Sequence, residues 1–155
     1  MSSWSGSAAS TRCELPNRIL KTVLDTCVLK LATLPNPANK SAVIVELCLR
    51  EVLHAYATPD TLGEYQRVLG DSPLLLEEIQ EHFRLCLPLF TATAIKHEPD
   101  NRILECALAC RATYLITVNT ARGHFDRKSY GHVRIATPGE FLQLADVQTL
   151  LRELS

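Results

Sequence analysis

Carboxylates stand where apolar runs end in this chain. Asp25 closes Lys21-Thr22-Val23-Leu24, Glu64 lies in Thr61-Leu62-Gly63-Glu64-Tyr65-Gln66-Arg67-Val68-Leu69, and Asp100 opens the run Asp100 to Ala109. A further apolar run, Tyr114-Leu115-Ile116-Thr117, leads to Asn119, an amide where another acid is expected. Acids gathered at the carboxyl ends of parallel strands make an oxygen-lined hollow, which suits a hard divalent cation. Each residue alone has a plainer reading: Asp25 and Asp100 as helix N-caps, Glu64 as a solvated helix residue. Only their joint placement favours a metal. Glu98 and Glu105 read as solvent-facing, and His54, His82 and His97 receive no role.

A second group of residues carries positive charge. Between Ala121 and Arg134 stand Arg122, Arg127, Lys128 and Arg134, with His124 and His132, against one acid, Asp126. Phe125 and Tyr130 are interleaved with them. Base and aromatic together suit phosphate contact and base stacking; a solvated loop is the competing reading. His124 fits a phosphate contact, a general acid or a plain surface residue.

The elements that must position these groups alternate. Short strands are expected over Lys21–Asp25, Val52–Ala57, Phe90–Ile95, Thr113–Val118 and Val133–Ala136. Between and after them come helices: one from Cys27 to the break at Pro35-Asn36-Pro37, and one over Asn39–Arg50 with Val43, Ile44 and Leu47 inward. Another starts at Thr58-Pro59-Asp60, and Ser72-Pro73 opens one running to about Cys86 with Leu75, Ile79 and Phe83 on one face. A helix capped by Asp100 runs to Ala109, and a last one starts at Thr137-Pro138-Gly139-Glu140, which has the order of a capping box. Strands that are continuous apolar runs alternating with helices predict a parallel sheet covered on both faces, a three-layer α/β/α sandwich.

Bulk properties narrow the class. A chain of 155 residues with 46% apolar content suits one folded domain, expected over 19–155. Residues 1–18 are Ser-rich, lack the apolar core of a secretory signal and are expected to form a disordered leader. No apolar stretch approaches the roughly 20 residues of a membrane span. The six cysteines show no Cys-x-x-Cys and no zinc-like Cys/His spacing, which suits a reducing cytoplasm. Cys106 and Cys110 share a helix face and read as core. The net charge of −1 does not by itself advertise a nucleic-acid partner. There is no Gly-rich phosphate loop of the dinucleotide or P-loop kind.

Four segments taken together resemble the PIN domain, in the branch of VapC-like toxins. They are Val23-Leu24-Asp25-Thr26-Cys27-Val28-Leu29, then Glu64-Tyr65-Gln66-Arg67-Val68-Leu69, then Asp100 to Ala107. The ending runs from Thr113-Tyr114-Leu115-Ile116-Thr117 through Gly123-His124-Phe125 to Ile135-Ala136-Thr137-Pro138-Gly139-Glu140-Phe141-Leu142. The resemblance spans about Lys21 to Leu144. It implies an endoribonuclease dependent on Mg²⁺ or Mn²⁺, with Asp25, Glu64, Asp100 and Asn119 at the catalytic rim and Asp25 and Asp100 on the metal. The RNA contacts expected from the basic stretch are Arg122, His124, Arg127 and Lys128. The resemblance also implies a cognate antitoxin protein, and a homodimer built on helices 39–50 and 74–86. Two departures stand out. Cys27 replaces the Asn that often follows Asp-Thr. Asn119 and His124 occupy positions where members often carry a fourth carboxylate. A module that binds RNA or a protein partner without cleaving is therefore the second reading.

Overall fold

The structure is a computed structural model and describes residues 19–88 and 95–154. The sheet begins with β1 (Lys21–Leu24), whose apolar residues are buried on both faces. β1 lies between β2 (His54–Ala57) and β4 (Tyr114–Ile116), parallel to both, with Thr22 beside Ala55 and Val23 beside Leu115. β3 (Arg84–Leu85) extends the β2 edge in parallel. On the other side β4 pairs in parallel with β6 (Val133–Ala136), and the two-residue β5 (Ser129–Tyr130) closes that edge antiparallel. The spatial order is β3-β2-β1-β4-β6-β5.

Alternation along the central strands sends side chains to opposite faces. Val23 and Leu115 enter one core with Ile103, Leu104 and Ala107 of α5 (Glu98–Ala109), and with Phe125. Leu24 and Ile116 enter the other. That second core is covered by α1 (Thr26–Ala32), α2 (Lys40–Leu49), α3 (Pro59–Val68), α4 (Pro73–His82), α6 (Pro138–Leu142) and α7 (Ala145–Leu154). The expected three-layer α/β/α arrangement with a mostly parallel sheet is therefore present. Fully burying each Leu or Ile contributes roughly 1.5–3 kcal/mol, so both faces of β1 and β4 anchor the rim above them.

Local signals act as expected in several places. The Thr58 side chain accepts from the Thr61 N–H, and Thr137 and Glu140 form a reciprocal capping box. Other expectations are corrected. The helix opened by Pro73 ends at His82, because Phe83 turns extended and packs its ring edge-on to Tyr65 at 6.2 Å. Arg84 and Leu85 then pair with Tyr56 and Ala57, so a tertiary strand pairing overrides helical spacing. Ile44 and Leu47 point inward, but Val43 is 40% exposed. α5 begins one turn earlier than expected: His97 is its N-cap position and Asp100 lies within the first turn. The expected leader at 1–18 and, apart from Ile95, the strand expected over Phe90–Ile95 lie outside the described residues. Among the described residues no helix is long and apolar enough to cross a membrane.

Candidate functional site

Asp25 sits at the carboxyl end of the central strand and is buried. Its backbone N–H donates to the Ile116 carbonyl at 3.0 Å, which ties the end of β1 to the end of β4. One carboxylate oxygen accepts from the Thr26 N–H at 2.8 Å, so Asp25 does cap α1. The other accepts from the Thr117 hydroxyl at 2.7 Å. Burial pushes the Asp25 carboxyl above the usual aspartate range; the Thr117 bond pulls the other way, and the nearby Asp100 charge adds to the rise. Cys27 lies 3.6 Å from the Thr117 hydroxyl, and burial with the Asp25 charge pushes its thiol up to about 11. It is therefore a neutral neighbour, unlike a reactive thiolate.

Asp100 is buried too, on a different element and among different partners. His97 Nδ1 lies 3.3 Å from one of its oxygens and His124 Nδ1 lies 2.9 Å from the other. The two imidazoles pack on each other with ring centroids 4.5 Å apart. The donors that converge are His97, Asp100 and His124, a set that fits a divalent cation, and the Asp100 charge is felt at Asp25 across the rim.

Glu64 and Asn119 stand differently. Tyr65 turns inward and donates its hydroxyl to the Leu24 carbonyl at 2.5 Å, next to Asp25. Glu64 consequently faces outward and pairs with Arg67. It lines a cavity of about 430 Å³ between α3 and α5 with Asp60, Glu98, Pro99 and Arg102, beside the start of α5. Asn119 is half-buried. Its N–H donates to the Thr117 hydroxyl at 2.9 Å and its carbonyl accepts from the Phe125 N–H at 3.0 Å. The structure thus brings Asp25 and Asp100 near each other, sets Asn119 just past β4, the strand beside β1, and leaves Glu64 in a groove between α3 and α5.

A family description of the PIN domain matches residues 21–121. The chain belongs to the PIN domain family. The match takes in Asp25, Glu64, Asp100 and Asn119, and it stops before the turn that carries His124. No curated protein matches the chain.

Beyond the matched region, the basic turn of this PIN domain is built on a buried aromatic pair. Phe125 and Tyr130 are both buried and meet edge-on at 6.2 Å, so the expected stacking of bases on these rings does not hold. Their work is to hold the turn. Asp126 accepts from the Gly123 N–H at 3.0 Å and lies within 3.5 Å of the Tyr130 hydroxyl, so it braces the loop in place of a missing rim acid. Arg122, Arg127 and Lys128 are exposed. Arg122, His124 and Arg127 border a cavity of about 420 Å³ with Lys96, and Lys128 lines a neighbouring one of about 620 Å³ with Arg134.

Sequence reasoning missed His97 and Thr117, and it misplaced Glu105. A polar Thr at the end of an apolar strand was a usable signal for a residue that orients Asp25. His97 stands three residues before Asp100, which placed both on the first turn of one helix, yet nothing local indicated that His124 would join them. Glu105 is buried rather than solvent-facing. Its carboxylate meets Arg102 at 3.0 Å, and Arg102 also holds the exposed Glu98 at 2.8 Å. The i, i+3 and i, i+4 spacing that makes this bridge was readable, but the inward turn of that face was not.

Proposed function

We propose that this PIN domain is a divalent-metal-dependent endoribonuclease. The observation that supports this most directly is the pair of buried carboxylates, Asp25 and Asp100, brought from β1 and α5 to one rim beside basic side chains. Asp25 and Asp100 would hold the cation. When bound it supplies Lewis acidity toward a phosphodiester oxygen and makes water acidic enough to attack near neutral pH. Thr117 and the Thr26 N–H fix the Asp25 carboxylate before any substrate arrives, so no reorganisation is needed at that group. Arg122, Arg127 and Lys128 offer charge to RNA phosphates without reading sequence. Glu64, in the groove beside α5, lies where it would meet a strand of RNA passing between α3 and α5.

The finer assignment, the toxin of a type II toxin–antitoxin pair acting in the cytoplasm, rests on the ordered motif resemblance. The thiols of the described cysteines are free, in keeping with a reducing compartment. A homodimer is supported by exposed apolar residues on the helices expected at the interface: Val43 on α2 and Leu74 on α4. Asn119 favours a second reading, a PIN-like module that binds RNA or a protein without cleaving it, because one rim position carries no charge. The decisive test is purified protein with single-stranded RNA. Cleavage with Mg²⁺ or Mn²⁺ that stops with EDTA supports the nuclease. Inertness at millimolar Mn²⁺ across several RNAs overturns it in favour of the binding module.

A further inference from the structure

The PIN match ends before His124, and the acid-lined rim it covers does not explain why two histidines converge on Asp100. We infer that His97, Asp100 and His124 form a two-histidine, one-carboxylate site for a first-row transition-metal cation such as Zn²⁺, in preference to Mg²⁺. The inference deepens the proposed nuclease site and rests on it, since Asp100 is common to both.

Three observations carry the argument. First, the donors converge: one nitrogen from each ring and a carboxylate oxygen all lie within 4.8 Å of one another. The two Nδ1 atoms lie 3.3 and 2.9 Å from the Asp100 oxygens, close to the roughly 3.4 Å between neighbouring donors around a tetrahedral cation bonded at about 2.0–2.2 Å. Second, the convergence is held by backbone. The His97 N–H donates to the Gly123 carbonyl at 2.8 Å, which ties the start of α5 to the turn that carries His124. Gly123 adopts φ +89°, a conformation that favours glycine, and the next residue but one, Phe125, is buried as an anchor. His124 is thereby aimed at Asp100 by main-chain bonds on both sides: its N–H reaches the Ala121 carbonyl at 3.0 Å, and its carbonyl takes the Asp126 N–H at 2.9 Å. Third, the site is open on one side. The His97 and His124 side chains are 49% and 32% exposed while Asp100 is 6% exposed, which leaves room for water or a phosphate oxygen as a further ligand.

The chemistry selects the ion. Mg²⁺ wants an octahedral shell of oxygens and keeps its waters, whereas imidazole suits zinc, cobalt, nickel and copper. A simpler role exists for the same contacts: two imidazoles donating hydrogen bonds that merely orient Asp100. The two roles part on metal affinity. Aligned Nδ1 atoms that act only as donors give no gain in transition-metal binding.

The test uses the full chain. Zn²⁺ and Mg²⁺ are titrated calorimetrically, and Co²⁺ is followed by its visible absorption. Wild type is compared with His97→Ala, His124→Ala, the double variant, and His132→Ala as a control for stray histidine binding. His97→Gln and circular dichroism guard against a misfolded variant. Wild type should bind Zn²⁺ at least about tenfold more tightly than Mg²⁺ and give an intense Co²⁺ spectrum of low coordination number. Each single variant should lose about 10–100-fold in Zn²⁺ affinity, and His132→Ala should lose nothing. A folded double variant that binds Zn²⁺ like wild type, or a pale six-coordinate Co²⁺ spectrum, overturns the inference. RNA cleavage, measured in parallel, separates the two claims. Histidine-dependent metal binding without cleavage keeps this site and overturns the nuclease. Mg²⁺-driven cleavage indifferent to both histidines, with no preference for Zn²⁺, does the reverse.

Discussion

Asp25 and Asp100 are buried acids near each other, yet their surroundings are built on opposite principles. Asp25 is held by neutral donors, the Thr26 N–H and the Thr117 hydroxyl, at the junction of β1, α1 and β4. Asp100 is held between two imidazoles, one from its own helix and one from a distant turn. Neutral donors orient a carboxylate without cancelling its charge, so Asp25 stays energetically expensive to ionise, whereas the imidazoles beside Asp100 bring ring nitrogens that can ligate a cation. The contrast explains how one rim holds two carboxylates. One is rigid and costly, poised to be relieved by a cation. The other is already attended by ring nitrogens that can join it as ligands.

The largest effect should come from Asp25→Asn. RNA cleavage should fall by more than the roughly 100-fold typical of losing an outer partner of a metal ligand, because the variant removes an anionic donor and keeps the shape. Cleavage as fast as wild type would place the chemistry elsewhere. Next comes Thr117→Val, which deletes the hydroxyl that donates to Asp25 and accepts the Asn119 N–H. Activity should drop about 10–100-fold, with a stability loss of about 1–2 kcal/mol from the orphaned N–H. A silent Thr117→Val, measured by single-turnover cleavage and urea unfolding, would mean that the neutral cradle of Asp25 is dispensable.

The same contrast has a sign in pH. The folded Asp25 carboxyl is raised above its ordinary value of 3.8, so the unfolded chain gives up that proton first. Asp25 therefore costs nothing well below that value, and its cost grows as pH rises through the raised folded value and stays constant above. In EDTA, Asp25→Asn should match wild type near pH 3. At pH 7 it should be the more stable of the two in urea unfolding, as is common when a strained functional group is removed. Equal stability at both pH values would show that Asp25 is not strained. The smallest effect is expected from Asn119→Asp: a shift of a few-fold to lower metal concentration at half-maximal activity, on the order of 0.5 kcal/mol at an effective dielectric near that of a protein surface. No shift would mean that the residue 119 side chain faces away from the cation.

Much of this was legible along the chain, because strands, caps and breaks are set by neighbours a few residues apart. The apolar runs of β1, β4 and β6, the Thr58 cap and the Thr137–Glu140 box needed nothing distant. Asp25 and Asp100 were singled out because strand ends in a parallel α/β sheet converge, and that topology follows from the alternation of elements. What the tertiary structure alone decided are the contacts that join distant segments. Arg84 and Leu85 became a strand because β2 offered an unpaired edge. Phe125 and Tyr130, expected to face RNA, were claimed by the core under the turn. His124 meets Asp100 across 24 residues, and Thr117 meets Asp25 across 92. Local spacing carries no information about such pairs. They arise only when buried side chains on both faces of the sheet fix the β4 end and the following turn against α5, and packing, rather than pattern, then chooses which polar groups share the rim.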